Sequence, residues 1–254
     1  ITSQTKFNET LGEAMDKFEI NSKFLNRNVT YNFLENPESN IYIYFFDGQN
    51  LFDLEECYMD ATFEFKEALD KAKISANVVG MYAPYDSNRT NEYTPYTEGD
   101  PEADYFDDDF TYKPQGLETG EFIVKELIPH IEKDKKDIVR LIGGASLGGL
   151  MSLYMGAKYP KIFHRVLAMS SHFNINLIES GQMLNAYDGK NKQKIYIDVG
   201  DNEYPEDPLL SRSYVDLNKM AYGVLKDKVE SKFVYTKGAT HHERDWAERM
   251  PEAL

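Results

Sequence analysis

The chain has one cysteine, Cys57, so no disulfide can form within it and no cysteine-based metal cluster is suggested. Basic residues are scarce: 28 Lys and Arg stand against 43 Asp and Glu, a net charge of −15. A surface of that sign repels phosphate and argues against nucleic acid or an anionic membrane as partner. Long apolar runs are also lacking, and none reaches the roughly 18 residues needed to cross a bilayer. Internal repeats and low-complexity linkers are absent. The 254 residues are therefore expected to form one domain, large enough to bury a sizeable core. No signal peptide is visible and the sequence opens at Ile1, so the expectation is a cytoplasmic protein whose start is trimmed. Oligomeric state is left open.

What the chain does have is one stretch with a specific chemical shape. Arg140 to Pro160 reads RLIGGASLGGLMSLYMGAKYP: a short apolar strand, a glycine turn carrying one serine, then a helix. Ile138, Val139, Leu141 and Ile142 suit a strand buried on both faces, and Leu147, Leu150, Met151, Tyr154 and Ala157 recur at helical spacing until Pro160 stops the helix. The turn Gly144-Ala145-Ser146-Leu147-Gly148 fits G-x-S-x-G, the nucleophile elbow of serine hydrolases. A free serine hydroxyl is a poor nucleophile, so it must be held exposed beside a base, with amides aimed at the developing oxyanion. A tight strand-to-helix turn does the exposing, and a side chain at Gly144 or Gly148 would clash with the neighbouring strand or helix. The amide of Leu147, at the helix start, is a candidate oxyanion donor. A phosphate-cradling loop would need Gly-Lys-Ser/Thr, and here Gly148 precedes Gly149 and Leu150.

Around this stretch, strands are expected at 18–25, 29–34, 41–46, 76–82, 166–170, 194–200 and 232–237, and helices at 63–72 and 120–133, the latter interrupted at Pro129. Strands alternating with helices imply an α/β fold with a mostly parallel sheet covered on both faces. The segment 83–119 has four prolines and little periodicity, and reads as a long loop able to cover a site. Its acidic run at 100–109 lacks the spacing and central glycine of a calcium loop and reads as solvated.

In the α/β-hydrolase fold, whose nucleophile elbow the G-x-S-x-G turn fits, the chain order is nucleophile, acid, histidine. His130 and His164 lie in or beside helices and read as structural. His172 follows the 166–170 strand and is a candidate pocket residue. His241 and His242 come after the last strand, where the base belongs, and His241 is favoured. Asp201 and Glu203 leave the 194–200 strand at the right place for the acid; spacing does not choose between them, and Asp198 is still inside the strand. After the strand at 41–46 comes Asp47-Gly48-Gln49-Asn50, where the amide of Gly48 or Gln49 is the candidate second oxyanion donor and Asp47 a candidate pocket residue.

Together, GGASLGGLMSLYMGAKYPKIFHRVLAMSSHF, DGQNLFD at Asp47 to Asp53, RTNEYTP from Arg89 to Pro95, and GATHHERDWAERMPEAL from Gly238 to Leu254 resemble the putative esterase family. This is the esterase D-like branch of the α/β-hydrolases, which includes siderophore trilactone esterases, feruloyl esterases and S-formylglutathione hydrolases. The resemblance runs from about Ile41 to Leu254. It implies Ser146 as nucleophile, His241 as base in a G-x-x-H-x-E-x-x-W pattern ending at Trp246, and Glu203 as acid, with Asp201 next. Two departures stand out: relatives often carry a histidine where this chain has Phe46, and the acid loop opens Gly200-Asp201 rather than Gly-Thr. The activity implied is hydrolysis of a small or medium carboxylic ester through an acyl-enzyme, with no cofactor or metal. A thioesterase or S-formylglutathione hydrolase, or a catalytically silent hydrolase fold used for binding, would be the alternatives.

Overall fold

A computed structural model describes residues 15–84, 88–96 and 112–254. Eight strands form one sheet in the order β1-β2-β4-β3-β5-β6-β7-β8. The first two, β1 (Lys17–Ser22) and β2 (Arg27–Leu34), make an antiparallel hairpin, and β2 also runs antiparallel to β4 (Asn77–Met81). From β4 onward every neighbouring pair is parallel: β3 (Ile41–Phe46), β5 (Val139–Ala145), β6 (Arg165–Met169), β7 (Lys194–Gly200) and β8 (Glu230–Thr236). The expected α/β architecture and its mostly parallel sheet are both present.

The hairpin turns earlier than the sequence suggests. Ser22 already pairs with Arg27, and the Ser22 hydroxyl accepts from the Leu25 amide at 3.0 Å, so residues 23–26 are the turn. Asn26 takes the left-handed conformation there, which asparagine tolerates better than most residues.

Side-chain alternation along β3 splits the core between the two faces of the sheet. Tyr42, Tyr44 and Phe46 join one apolar cluster with Leu150, Leu153, Leu184 and Leu225. Ile43 and Phe45 join the other with Phe65, Leu69, Trp246 and Met250. Helices α1 (Phe65–Ala72) and α8 (Glu243–Ala253) cover the second face. The first is covered by α3 (Gly116–Phe122), α5 (Leu147–Lys158), α6 (Leu177–Ala186) and α7 (Pro208–Leu225). Phe45 sits edge-on between Phe63 and Phe65, with ring centroids 5.3 and 5.1 Å away.

The helix expected at 120–133 starts earlier, at Gly116, and is not continuous. After α3 the chain widens into a π turn at Ile123–Leu127 before α4 (Ile128–Glu132), which carries Pro129 in its first turn. Proline lacks an amide proton and its ring crowds the carbonyl four residues back, and the extra residue of a π turn makes room for it. The 83–119 segment is likewise not a loop throughout: α2 (Asn88–Glu92) and the start of α3 lie within it. Its acidic run at 100–109 lies outside the described residues. His130 and His164 do structural work: His130 Nε2 hydrogen-bonds Tyr31 at 3.1 Å, and His164 Nδ1 accepts the Arg140 amide at 3.0 Å.

Candidate active site

Asp47, Ser146, His172, Glu203 and His241 lie just past the C-terminal ends of parallel strands, the end at which open α/β sheets bind ligands. Ser146 follows β5 with φ 59° and ψ −123°, a strained conformation for a residue with a Cβ. Its amide donates to Met169 O at 2.9 Å, and its carbonyl accepts from Leu150 and His172 amides, both at 3.1 Å. The two flanking glycines make the turn possible. A Cβ on Gly144 would lie 2.7 Å from the backbone of Gly148, and one on Gly148 would press on Phe46 at 3.0 Å. Leu147 is the first residue of α5, so no carbonyl within the helix accepts its amide.

The loops after β7 and β8 are zipped together: the Asn202 amide donates to Ala239 O at 3.1 Å and the His241 amide to Glu203 O at 2.9 Å. This brings His241 Nδ1 to 2.6 Å from Glu203 Oε2. The other oxygen of Glu203, Oε1, accepts from the Gly200 amide and the Ser170 hydroxyl, both at 2.6 Å. With a carboxylate acceptor at Nδ1, the imidazole carries its proton there and keeps the lone pair on Nε2. Three rings fix the imidazole plane: Tyr204 stacks on it at 5.1 Å, and Tyr214 and Trp246 meet it edge-on at 5.1 and 4.8 Å.

Neighbouring candidates point elsewhere. Asp201 accepts the Gly238 amide at 2.6 Å and the Tyr235 hydroxyl at 3.1 Å, and so braces the turn after β8 rather than facing His241. His242 caps α8 through Nδ1, which accepts from the Arg244 amide at 3.2 Å, while its Nε2 meets Asp60 at 2.9 Å. Asp198 stays inside β7 and pairs with Arg249 Nε at 3.1 Å. Burial pushes the Asp198 carboxyl up to about 6, against the opposing pull of Arg249.

After β3, Asp47 turns left-handed (φ 56°) into a 3₁₀ turn at Gly48–Asn50. Asn50 and Leu51 amides bond back to Asp47 and Gly48 carbonyls, so the Gly48 and Gln49 amides are the ones at the open end of the turn. Gly48 lies so close to β4 that a Cβ would sit 2.1 Å from the Gly80 carbonyl carbon. Asn32 clips the two together, donating to Gly48 O at 2.8 Å and accepting the Gly80 amide at 3.1 Å. Gln49 Oε1 accepts the Ala83 amide at 3.2 Å. Asp47, a candidate pocket residue on sequence, instead has both carboxylate oxygens held by Arg89, through Nε and Nη2 at 2.7 Å each. His172 is buried, with Nδ1 against the Tyr214 hydroxyl. Burial first, then the nearby His241 and Arg89, lower its pKa to about 3, so it is neutral. Cys57, near this loop, is no competing nucleophile: burial pushes its thiol up to about 11.

Several residues around the site escape sequence reasoning. Ser170 sits at the end of a strand expected to include it, yet takes φ 42° and turns toward Glu203. Arg249 lies within the matched C-terminal motif but has no spacing that singles it out. Tyr204 and Tyr214 carry no signal beyond the aromatic content of the chain.

The chain matches the family described as "Putative esterase" over residues 22–254. It is 25% identical over 221 residues to the uncharacterized protein YbbA of Bacillus subtilis (strain 168), covering 84% of this chain and 83% of that one. Its fold resembles an IroE-like serine hydrolase from Shewanella oneidensis with a TM-score of 0.73 and 17% identity, covering 94% of this chain and 79% of that one. It also resembles the siderophore hydrolase EstA from Aspergillus nidulans, with a TM-score of 0.70 and 14% identity over 98% and 97% of the two chains.

Proposed function

The chain belongs to the putative esterase family, and from that premise we propose that it is a serine hydrolase of small or medium carboxylic esters, acting through an acyl-enzyme. The observation that carries this reading is the 2.6 Å contact of His241 Nδ1 with the buried Glu203, which leaves Nε2 as the basic nitrogen, in a fold whose strained elbow presents Ser146.

In this reading His241 Nε2 takes the Ser146 proton as Oγ bonds to the ester carbonyl carbon. The resulting oxyanion accepts from the amides of Leu147 and of Gly48 or Gln49. Collapse breaks the carbon–oxygen bond to the alcohol, which leaves with the proton from His241. Water then gives a proton to His241 and attacks the acyl carbon; the acid departs and Ser146 regains its hydrogen. Glu203 accepts from Nδ1 and steadies the imidazolium.

The test is hydrolysis of a panel of 4-nitrophenyl esters and matched thioesters, with fluorophosphonate labelling of the serine. Ser146→Ala should lower kcat by roughly four to six orders of magnitude while thermal unfolding stays close to wild type. Near-normal ester turnover by Ser146→Ala would sink the assignment. Preference for thioesters would move the substrate class, and absence of both turnover and labelling in the wild type would favour a binding module.

A further inference from the structure

Behind the acid lies a second layer of buried polar groups that the proposed chemistry does not use. Ser170, Asp198, Trp246 and Arg249 are all buried, Ser170 and Asp198 completely. The Ser170 hydroxyl is at their centre. It accepts from Trp246 Nε1 at 3.0 Å and from Arg249 Nη2 at 3.2 Å, and it reaches Glu203 Oε1 at 2.6 Å.

A hydroxyl has one proton and two lone pairs, whereas indole and guanidinium nitrogens can only donate. With both lone pairs occupied, the one Ser170 proton has a single acceptor left, Glu203. The hydroxyl cannot rotate away without leaving a buried donor unpaired. Arg249 is itself aimed by Asp198 through Nε. The Ser170 amide also bonds Asp198, to its backbone oxygen at 3.0 Å and to Oδ1 at 3.2 Å. The serine holds this position at φ 42°, where a non-glycine residue is strained, and such strain persists only where the surroundings enforce it.

We propose that Ser170 is a positioning residue for the acid: Trp246 and Arg249 lock its hydroxyl so that its proton fixes Glu203 Oε1 and turns Oε2 toward His241. The consequence is a carboxylate with one oxygen tied down by Ser170 and the Gly200 amide, and the other presented to the imidazole. This inference rests on Glu203 being the partner of His241 in the reaction.

The experiment compares Ser170→Ala, Ser170→Gly, Glu203→Gln and the Ser170→Ala/Glu203→Gln double variant. Turnover is expressed per competent site, counted by complete fluorophosphonate labelling in intact-mass spectra, so that misfolded protein drops out. Ser170→Ala should lower kcat about 10- to 100-fold with KM within about twofold, the scale of one charge-assisted hydrogen bond. Ser170→Gly should lose as much, although glycine relieves the strained φ. In the Glu203→Gln background, adding Ser170→Ala should change kcat by less than about threefold, because groups acting as a unit are not additive. A Ser170→Gly enzyme at wild-type kcat overturns the proposal, and so do losses that multiply in the double variant. If Glu203→Gln itself keeps wild-type kcat per site, Glu203 is not the partner of His241 and the functional reading fails at that residue. A damaged Glu203→Gln beside healthy Ser170 variants removes this inference alone.

Discussion

Two aspartate–arginine pairs flank the site, and they differ in depth and geometry. Asp47–Arg89 stands behind the Gly48–Asn50 turn, whose amides we propose as oxyanion donors. It is a two-point fork at 2.7 Å, with Arg89 30% exposed and lying 5.0 Å over the Tyr93 ring. Asp198–Arg249 stands behind Glu203, the proposed acid. Its carboxylate is fully buried and Arg249 is 4% exposed, but the contact is one-point at 3.1 Å, and Arg249 Nη1 has no hydrogen-bond partner among the described residues. The outer pair has the better geometry because its guanidinium serves one carboxylate. The inner one is shared between Asp198 and the Ser170 hydroxyl. The outer pair braces a turn, and the inner pair aims a hydrogen bond.

That contrast can be broken from either side. The largest effect on stability is expected from Asp198→Ala, which strands a buried guanidinium and should cost about 3–5 kcal/mol in urea unfolding. Restoring apolar packing with Asp198→Leu and Arg249→Met together should recover much of that stability without restoring kcat. Asp47→Ala should cost less stability, about 1–2 kcal/mol, because Arg89 can turn to water. Its effect should fall on turnover instead, with kcat reduced up to about 100-fold as the Gly48–Gln49 amides shift. Comparable stability losses in the two variants would erase the distinction drawn between the pairs.

A smaller effect sharpens the comparison through pH. His172 is lowered to about 3 from 6.5, so the unfolded chain takes up this proton first as pH falls. Its contribution to stability is full above pH 6.5 and drains away below it. Asp198 is raised to about 6 from 3.8, so the folded state takes up its proton first, and its contribution is lost as pH rises through about 6. The two slopes oppose each other between these limits. His172→Phe should therefore flatten acid destabilisation, and Asp198→Asn should steepen it, as read by thermal unfolding from about pH 6.5 to 4.5. The smallest effect is Asp201→Ala, expected within about 1 kcal/mol and twofold in kcat, since its partners brace only a surface turn.

The elbow was legible because its geometry admits few residues: the close approaches at Gly144 and Gly148 require glycine, and glycine is visible in a sequence. The parallel sheet was legible from apolar runs such as IYIYFF and KIYIDVG, where burial on both faces leaves no polar alternation. The preference for Glu203 over Asp201 came from family resemblance, because spacing could not tell two loop carboxylates apart. What separates them in space is the pairing of two loops, with Asn202 on Ala239 and His241 on Glu203. Arg89 and Asp47 were both in view, but nothing local says that residues 42 apart form a fork. Ser170 was hidden for a different reason. Its strand was readable, and the left-handed step that ends it is imposed by Asp198 and Arg249 rather than by its own neighbours.

Helix α8 carries both Trp246 and Arg249, and Arg249 meets the Ser170 hydroxyl across 79 residues of sequence. The elbow, the loop after β3 and the acid loop all emerge from the ribosome before it. A chain without α8 lacks both Trp246 and Arg249, the two donors that orient the Ser170 hydroxyl. Under the role proposed for Ser170, the orientation of its hydroxyl therefore depends on α8, an element that follows β8 in the chain.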